Sequence, residues 1–441
     1  MNAVIRGVRV FDPLAGLDLS GRDVRFEDGH ITVIGRDLEA GDLADIDLTP
    51  PAGAEPCVLC PGFIDLHAHL REPGDEAAET LASGAAAAAA GGFTTVLAMA
   101  NTRPPIDGPD AVAAAVGRAA GLPIRILTVA ALTRGLAGTE LVDVAGCADA
   151  GAVAFSDDGR NAAPAALLAE GLRTAAAHGD HPVLIHAEDE ALIGHSSVDP
   201  ARRPAEAEAS AVAAGIAALA SGGGAGRLHL QHISTAEAVR LLREARRAGL
   251  PLTAEVTPHH LSMFETDPLP DPPSLARVNP PLRDRADGEA LVAALAEGVV
   301  DAVATDHAPH LRVRKGVDQA GAAPGMTGLE TALATCLGVR VRSPDWVALL
   351  VERLTVGPHR VLRHVGSLPP PGLALDMPAT CVLFDPAQEW TVGPSTVRSR
   401  SSNTPLWGRR LRGQVLLTLV EGAVAHRDTR LQIRRGPGVH V

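Results

Sequence analysis

A regular alternation of apolar runs and helical stretches fills the middle of the chain. The apolar runs have the length of strands and span residues 57–70, 93–101, 124–132, 151–159, 182–189, 228–235, 252–260 and 300–310. Helical periodicity is clearest in residues 109–120, 165–179, 208–220, 235–249 and 288–298. Apolar strands alternating with helices predict a parallel sheet covered on its outer face. Eight such units over roughly 300 residues predict a (β/α)8 TIM barrel, with a doubly wound open sheet as the alternative.

The two ends of the chain have a different pattern, typical of short strands joined by Gly and Asp turns. These candidate strands span residues 3–12, 23–30, 31–37, 380–386, 413–422 and 423–428. Each end is too small to bury a core, so we expect both ends to form one discontinuous β-rich domain. The Pro-rich residues 368–372 indicate a boundary. The predicted division is 1–56 and 367–441 for the small domain and 57–366 for the barrel.

Composition and charge exclude several classes of protein. Of 441 residues, 46% are hydrophobic and 21% are charged, which is typical of a folded, soluble chain. A net charge of −13 argues against a nucleic-acid partner. The chain has neither the pattern of a signal peptide nor an apolar run of membrane-spanning length, so we expect a cytoplasmic protein without a membrane partner.

The cysteines do not indicate a disulfide framework. They are five in number, and only Cys57 and Cys60 have CxxC spacing. Both fall in an apolar, β-like run, without a second CxxC that could complete a zinc site. We therefore expect them in the core.

Histidines and aspartates stand at the ends of several predicted strands. His67 and His69 alternate along the first strand, so both point to one face. A lone histidine in an apolar strand is more often a core residue, but similar residues end four further strands: Asp157 with Asp158, His186, His232 and Asp306. A barrel brings such ends together, and nitrogen and oxygen ligands suit a catalytic Zn²⁺ or a similar ion. Their number exceeds the needs of one zinc, which predicts a two-metal hydrolytic site.

Motifs around these positions resemble the signature of dihydroorotases, which are cyclic amidohydrolases of the metal-dependent amidohydrolase superfamily. The motifs are FIDLHAHLREPG at 63–74, NTRP at 101–104, FSDDG at 155–159, HIST at 232–235, VNPPLR at 278–283 and ATDHAPH at 304–310. The resemblance extends through Pro324 and Gly325 and resumes at 403–405. It implies a zinc enzyme that reversibly cyclises N-carbamoyl-L-aspartate to (S)-dihydroorotate and water in de novo pyrimidine (UMP) biosynthesis.

The resemblance also implies roles for individual residues. One zinc would be held by His67, His69 and Asp306, a second by His186 and His232, and Asp158 with a hydroxide would bridge the two. Asp158 is preferred to Asp157 by alignment with the family. Asp306 would pass a proton to the departing nitrogen.

The implied substrate contacts fall into two sets. The substrate carboxylate would be bound by Arg71, Asn101 and His310, and His69 would also contact the substrate. The ring amide would be bound by Asn279 and the backbone of Pro324 and Gly325. A structural role stays open for Asn101 and Asn279, because both precede Pro-containing turns.

The lysine content separates two branches of this superfamily. Arginine supplies 38 of the 39 basic residues, and Lys315 is the only lysine. The related dihydropyrimidinases, hydantoinases and allantoinases bridge their metals with a carboxylated lysine on the fourth strand. Lys315 follows the eighth predicted strand, so the bridge here must be another group. This favours a dihydroorotase over the alternative of an allantoinase-like or hydantoinase-like cyclic amidohydrolase.

Two other classes remain as rivals. A mononuclear amidohydrolase such as a deaminase would share the HxH motif, but residues 71–74 and 278–281 argue against it. A non-catalytic, dihydroorotase-like scaffold for aspartate carbamoyltransferase should have lost ligands, whereas every expected position is filled. A homodimer and an aspartate carbamoyltransferase partner are candidate assemblies.

Several features are left without a single interpretation. Residues 311–323 contain Gly and lack strong periodicity, so they form either a lid or a surface loop. His259 and His260 end the seventh predicted strand, where they reach either the site or the core. His181 and His307 have no predicted role.

Overall fold

The computed structural model of the chain contains two large sheets. The described residues are 1–160, 163–193, 203–268, 270–316, 321–339, 345–366 and 368–431. Within them, eight parallel strands follow one another in chain order around the first sheet. They are β6 (Phe63–Ala68), β7 (Phe93–Ala98), β8 (Arg125–Ala130), β9 (Ala152–Ser156), β10 (Pro182–Ile185), β11 (Arg227–Leu230), β12 (Leu252–Val256) and β13 (Ala302–Val303). The predicted TIM barrel is thereby confirmed.

Helices connect these strands and cover the outer face of the barrel. The longer helices are α1 (Leu81–Ala90), α2 (Pro109–Ala119), α4 (Ala165–Ala177), α6 (Ala205–Ser221), α7 (Ala236–Arg247), α9 (Arg285–Ala296) and α12 (Trp346–Leu354). The shorter helices are α3 (Val144–Asp149), α5 (Glu190–Ile193), α8 (Pro258–Ser262), α10 (Arg312–Lys315), α11 (Ala332–Leu337) and α13 (Val356–Val361). All five helices predicted from periodicity are present. None of the described helices is both long and apolar enough to cross a membrane.

The first and last barrel strands meet at a junction that we call the seam. The Ala68 and His307 backbones form a parallel bridge there, and His69 N donates to His307 O at 2.8 Å. The buried Asp65 carboxylate accepts from Thr305 N at 2.8 Å and from Thr305 Oγ1 at 2.6 Å. These bonds fix the carboxyl ends of β6 and β13 against each other.

The second sheet is built from both ends of the chain. Its strands are β1 (Ala3–Asp12), β2 (Leu17–Glu27), β3 (His30–Gly35), β4 (Ala44–Asp47), β5 (Val58–Pro61), β14 (Cys381–Thr391), β15 (Arg410–Val420) and β16 (Ala423–Arg427). Their order across the sheet is β16-β15-β14-β5-β1-β2-β3, and β4 pairs with β1. The expected pairing of the two ends is therefore present. The exact division at 56/57 and 366/367 stays a prediction.

The apolar run 57–70 contains two strands rather than the one expected. Residues 58–61 pair with β1 and β14 in the second sheet, whereas β6 begins the barrel at Phe63. Gly62 separates them, and a Cβ there would lie 2.3 Å from the Thr94 side chain. Both strands are fully buried, so their hydrophobicity is continuous and conceals the change of sheet.

The cysteines are buried thiols. All five are free, and burial raises the pKa of Cys57 to about 12. Cys60 lies in β5 and is 0% exposed. This agrees with the expected core position of the CxxC pair.

Candidate metal centre

The carboxyl ends of the barrel strands carry all six predicted metal ligands. His67 lies within β6, and the others follow β6, β9, β10, β11 and β13 by a few residues. All are buried, with exposed fractions of 0% for His67, 7% for His69, 4% for Asp158, 3% for His186, 1% for His232 and 5% for Asp306. Imidazoles and carboxylates that lie in or follow five strands thus form one buried cluster.

Two sets within this cluster have the spacing of metal ligands. In each set one ligand atom per residue lies within 4.8 Å of the others; the sets are His67 with Asp158 and His232, and His67 with His69 and Asp306. His67 is common to both sets.

Asp158 lies at the centre of the cluster. Its carboxylate oxygens are 3.4 Å from His67 Nε2, 3.4 Å from His69 Nε2 and 3.7 Å from His232 Nε2. The neighbouring Asp157 points elsewhere and accepts hydrogen bonds from the backbone and hydroxyl of Thr133. Of the two adjacent carboxylates, the structure places only Asp158 among the histidines.

His186 lies outside both sets but borders them. Its Nδ1 is 2.9 Å from His232 Nε2 and 3.8 Å from the Asp158 carboxylate. Its Nε2 is 3.2 Å from Glu188, a buried carboxylate. The Nδ1 edge of His186 therefore faces the cluster, and its Nε2 edge is held from behind.

The hydrogen bonding of the cluster is incomplete in a way that fits a cation. Within the cluster, three buried atoms have no hydrogen-bond partner among the described residues: His67 Nε2, Asp158 Oδ1 and His232 Nδ1. Unpaired buried polar atoms are costly. A divalent ion accepts imidazole nitrogen and carboxylate oxygen together, so these residues fit a metal site.

The charge state of His67 leads to the same conclusion. Glu255 lies 2.9 Å from its Nδ1, so Nδ1 donates to Glu255 and the opposite edge of the ring, Nε2, faces the carboxylates of Asp158 and Asp306. Burial opposes a charge on His67, but Asp158 outweighs it and raises the pKa of His67 well above its usual range. The cluster stabilises positive charge at this point.

Glu255 is a candidate functional residue that the sequence analysis missed. It is 0% exposed and lies 2.9 Å from His67 Nδ1 and 3.0 Å from His229 Nε2. Burial opposes its ionisation, but these two histidines lower the pKa of Glu255 to about 2. Its signal in the sequence was a lone carboxylate inside an apolar strand. Such a carboxylate, bonded to a ligand histidine, fixes the tautomer and the orientation of the ring.

Backbone strain is concentrated at the cluster. Arg71, His232 and Asp306 have φ angles of 61°, 29° and 46°, in the left-handed region that non-glycine residues rarely adopt. Such strain persists where the surrounding structure determines the conformation, often at a functional site.

The residues predicted to bind the substrate carboxylate border the cluster. Arg71 Nε donates to Pro309 O at 3.0 Å, and its Nη2 is 3.4 Å from His310 Nε2. Asn101 Oδ1 is 2.9 Å from His69 Nδ1, and its Nδ2 is 3.3 Å from the Asp158 carboxylate. Asn101 is thus placed to orient two predicted ligands.

The residues predicted to contact the ring amide lie beside His186 and His310. Asn279 Nδ2 lies 3.0 Å from His186 Nε2, and its Oδ1 accepts a hydrogen bond from Arg203. Arg203 also bonds Glu188, so one network ties Asn279 to His186. Pro324 O is 2.8 Å from His310 Nε2.

Three further histidines are buried nearby. His260 is bonded to Thr257 Oγ1 and Pro280 O, and His307 lies 3.3 Å from Glu79 and accepts from Gly328 N. Both are held by the scaffold. In the described part of the chain, His259 Nε2 has no hydrogen-bond partner, and burial lowers the pKa of His259 to about 4.

The segment predicted as a lid or loop is described in part. Residues 317–320 lie outside the described residues, while 312–315 form α10. A cavity of about 1320 Å³ adjoins α10 and is lined by Lys315, Arg203 and Asn403, among others. The six predicted ligands do not line this cavity.

Comparison with known proteins identifies the family. The dihydro-orotase-like family model matches residues 57–209. Dihydroorotase from Anaeromyxobacter dehalogenans strain 2CP-1 is 42% identical over 96% of this chain and 98% of its own length. The Thermus aquaticus dihydroorotase is 41% identical over 96% and 99%, and the Mycobacterium tuberculosis dihydroorotase is 40% identical over 98% and 100%.

Solved structures agree in fold. A D-hydantoinase superposes with a TM-score of 0.82 at 22% identity, covering 99% of this chain and 98% of that one. L-hydantoinase (dihydropyrimidinase) from Arthrobacter aurescens gives 0.80 at 24% identity, covering 97% and 96%. At this identity the likeness concerns the fold alone, whereas the likeness to the three dihydroorotases named above spans nearly the whole chain at 40–42% identity. The chain therefore belongs to the dihydroorotase family of cyclic amidohydrolases.

Proposed function

We propose that the protein is a zinc-dependent dihydroorotase that interconverts N-carbamoyl-L-aspartate and (S)-dihydroorotate in pyrimidine biosynthesis. The observation that carries this proposal is the pair of histidine and aspartate sets that share His67. Arg71 stands beside them, as a group that can bind a carboxylate through two parallel hydrogen bonds. The dihydroorotases named above supply the choice of substrate.

The proposed metal ligands are those of the cluster. His67, His69 and Asp306 would hold one zinc, and His186 and His232 a second, with Asp158 shared between them. When bound, divalent ions supply Lewis acidity, which polarises an amide carbonyl and makes water more acidic.

The residues of the chain would supply proton transfer and orientation. Burial opposes ionisation of Asp306, but His67 and His69 hold its pKa well below the usual range, so it begins as a proton acceptor. In hydrolysis it would take a proton from the attacking water and pass it to the departing ring nitrogen. By microscopic reversibility, Asp306 would serve cyclisation as well.

The substrate would be oriented by groups that border the cluster. Arg71, Asn101 and His310 would bind its carboxylate, and Asn279 with the Pro324 and Gly325 backbone its amide edge. Holding the reacting groups in register converts binding energy into rate.

A substrate panel with metal analysis tests the proposal. Purified protein should turn over dihydroorotate and carbamoyl aspartate, leave allantoin and hydantoin unchanged, and contain up to two zinc ions per chain. Inactivity on dihydroorotate with metal bound would exclude the proposed function. For the proton role, a metal-loaded Asp306→Asn variant with near-normal turnover would be decisive against it.

A further inference from the structure

Lys315, the only lysine of the chain, is buried and makes an unusual set of bonds. It is 2% exposed. Its Nζ donates to three backbone carbonyls: Arg277 O at 3.1 Å, Ala323 O at 2.9 Å and Gly325 O at 2.8 Å. An ammonium group has three donors, so these carbonyls use its full capacity.

The three carbonyls belong to two segments that border the metal cluster. Arg277 lies two residues before Asn279, and Ala323 and Gly325 flank Pro324. The same segments are also joined by a bond from Gly325 N to Arg277 O at 2.9 Å. Lys315 therefore closes a small cage of backbone bonds beside the proposed substrate.

This arrangement is costly, and it requires the geometry of lysine. Burial and the Arg277 guanidinium lower the pKa of Lys315 to about 7, and a buried ammonium must regain the hydrogen bonds it lost to water. A planar guanidinium directs its N–H groups outward, so it cannot replace one nitrogen on which three carbonyls converge. Lys315 is the only lysine of the chain, and the other 38 of its 39 Lys and Arg residues are arginines.

We propose that Lys315 is a positioning residue, whose ammonium fixes the 323–325 backbone against the 277–279 segment and so preorganises the groups that face the ring amide. Gly325 O also accepts from Asn403 Nδ2 at 3.1 Å. The cage is thereby tied to the C-terminal segment. The effect on turnover rests on the proposed function, whereas the cage is a property of the fold.

Kinetics of Lys315→Met test the effect on the substrate. We expect KM for dihydroorotate to rise roughly tenfold, as for loss of bonds to a charged group, while kcat falls less and zinc content is unchanged. Lys315→Arg should fail to restore KM. Arg312→Met is the matched control, because it removes an exposed cation from the same helix, α10. A KM within twofold of wild type in Lys315→Met, an equal rise in the control, or full rescue by arginine overturns the proposal.

Two measurements remain decisive if dihydroorotate is not the substrate, and the second also needs no variant. First, backbone hydrogen exchange over residues 321–327 should be faster in Lys315→Met than in wild type. Unchanged exchange in a folded Lys315→Met variant overturns the proposal. With isotope-labelled lysine, the wild-type protein has a single lysine signal. At mildly acidic pH we expect an ammonium protected from exchange with water; an unprotected ammonium overturns the cage.

Discussion

Two groups of histidines lie at opposite ends of the same barrel. They differ in whether their buried polar atoms have hydrogen-bond partners. At the carboxyl ends of the strands, buried atoms of His67, His232 and Asp158 have no hydrogen-bond partner among the described residues. At the amino ends, His364 Nε2 lies 2.9 Å from Val153 O, and its Nδ1 accepts from Arg227 Nη1 at 3.0 Å.

The second group is complete without an ion. His181 Nδ1 lies 3.2 Å from Val153 O and 3.1 Å from His364 Nε2, and Arg227 also donates to Val361 O at 2.6 Å. Burial lowers the pKa of His364 to about 4 and also lowers that of His181, so both are neutral. Clustered histidines alone do not indicate a metal; unsatisfied atoms facing carboxylates do.

The largest expected effect comes from the carboxylate at the centre of the first group. Asp158→Asn should lower turnover by about 10³-fold or more, because a neutral amide replaces the charge facing three imidazoles. Metal content, measured by elemental analysis, should fall with it.

Asp157→Asn is the matched control for that change. Asp157 bonds Leu132 N and Thr133, so its loss should cost stability and leave the metal in place. Retained turnover in Asp158→Asn together with lost turnover in Asp157→Asn would assign the bridge to Asp157 instead.

An intermediate effect is expected from the residue behind His67. Glu255→Gln should weaken metal binding roughly 10- to 100-fold, since the ring loses the carboxylate that fixes its tautomer. Competition with a zinc chelator measures this. Glu79→Gln is a suitable control: Glu79 is also 0% exposed and borders a histidine, His307, outside the cluster. Equal loss of affinity in both variants would contradict a specific role for Glu255.

The smallest effect belongs to the second group and appears as a pH dependence. The folded pKa of His364 is about 4 against an ordinary 6.5, so between these values the unfolded chain binds a proton that the folded chain does not. Stability should therefore fall as pH decreases from 6.5 towards 4. Arg227 and His181, which face His364, add to this by disfavouring its charge.

The His364→Gln variant should lose less folding stability than wild type between pH 7 and pH 5, by about 1 kcal/mol. Denaturant unfolding at both pH values measures it, with turnover at pH 7 unchanged. A variant with the same pH dependence as wild type would show that His364 does not cause it.

The sequence predicted the barrel because the alternation of apolar, strand-length runs with helical stretches remains visible even where the strands are buried. All eight predicted barrel strands have a counterpart in the structure. It did not predict the separation of β5 from β6, since both are wholly apolar and only Gly62 marks the break. Ligand candidates could be found because polar residues at strand ends are conspicuous. Glu255 was missed because it lies inside a strand, and the bonds of Lys315 were missed because its partners are backbone carbonyls, which leave no trace in residue identity.

Because the seam joins the first barrel strand to the last, the two ligand sets are completed at different points of protein synthesis. The set of His67, Asp158 and His232 is complete once the ribosome has released the first six barrel strands, whereas the set with Asp306 needs the last strand. All residues of the first set therefore precede β13 in the chain, and an ion shared with Asp306 would link the last barrel strand to the first.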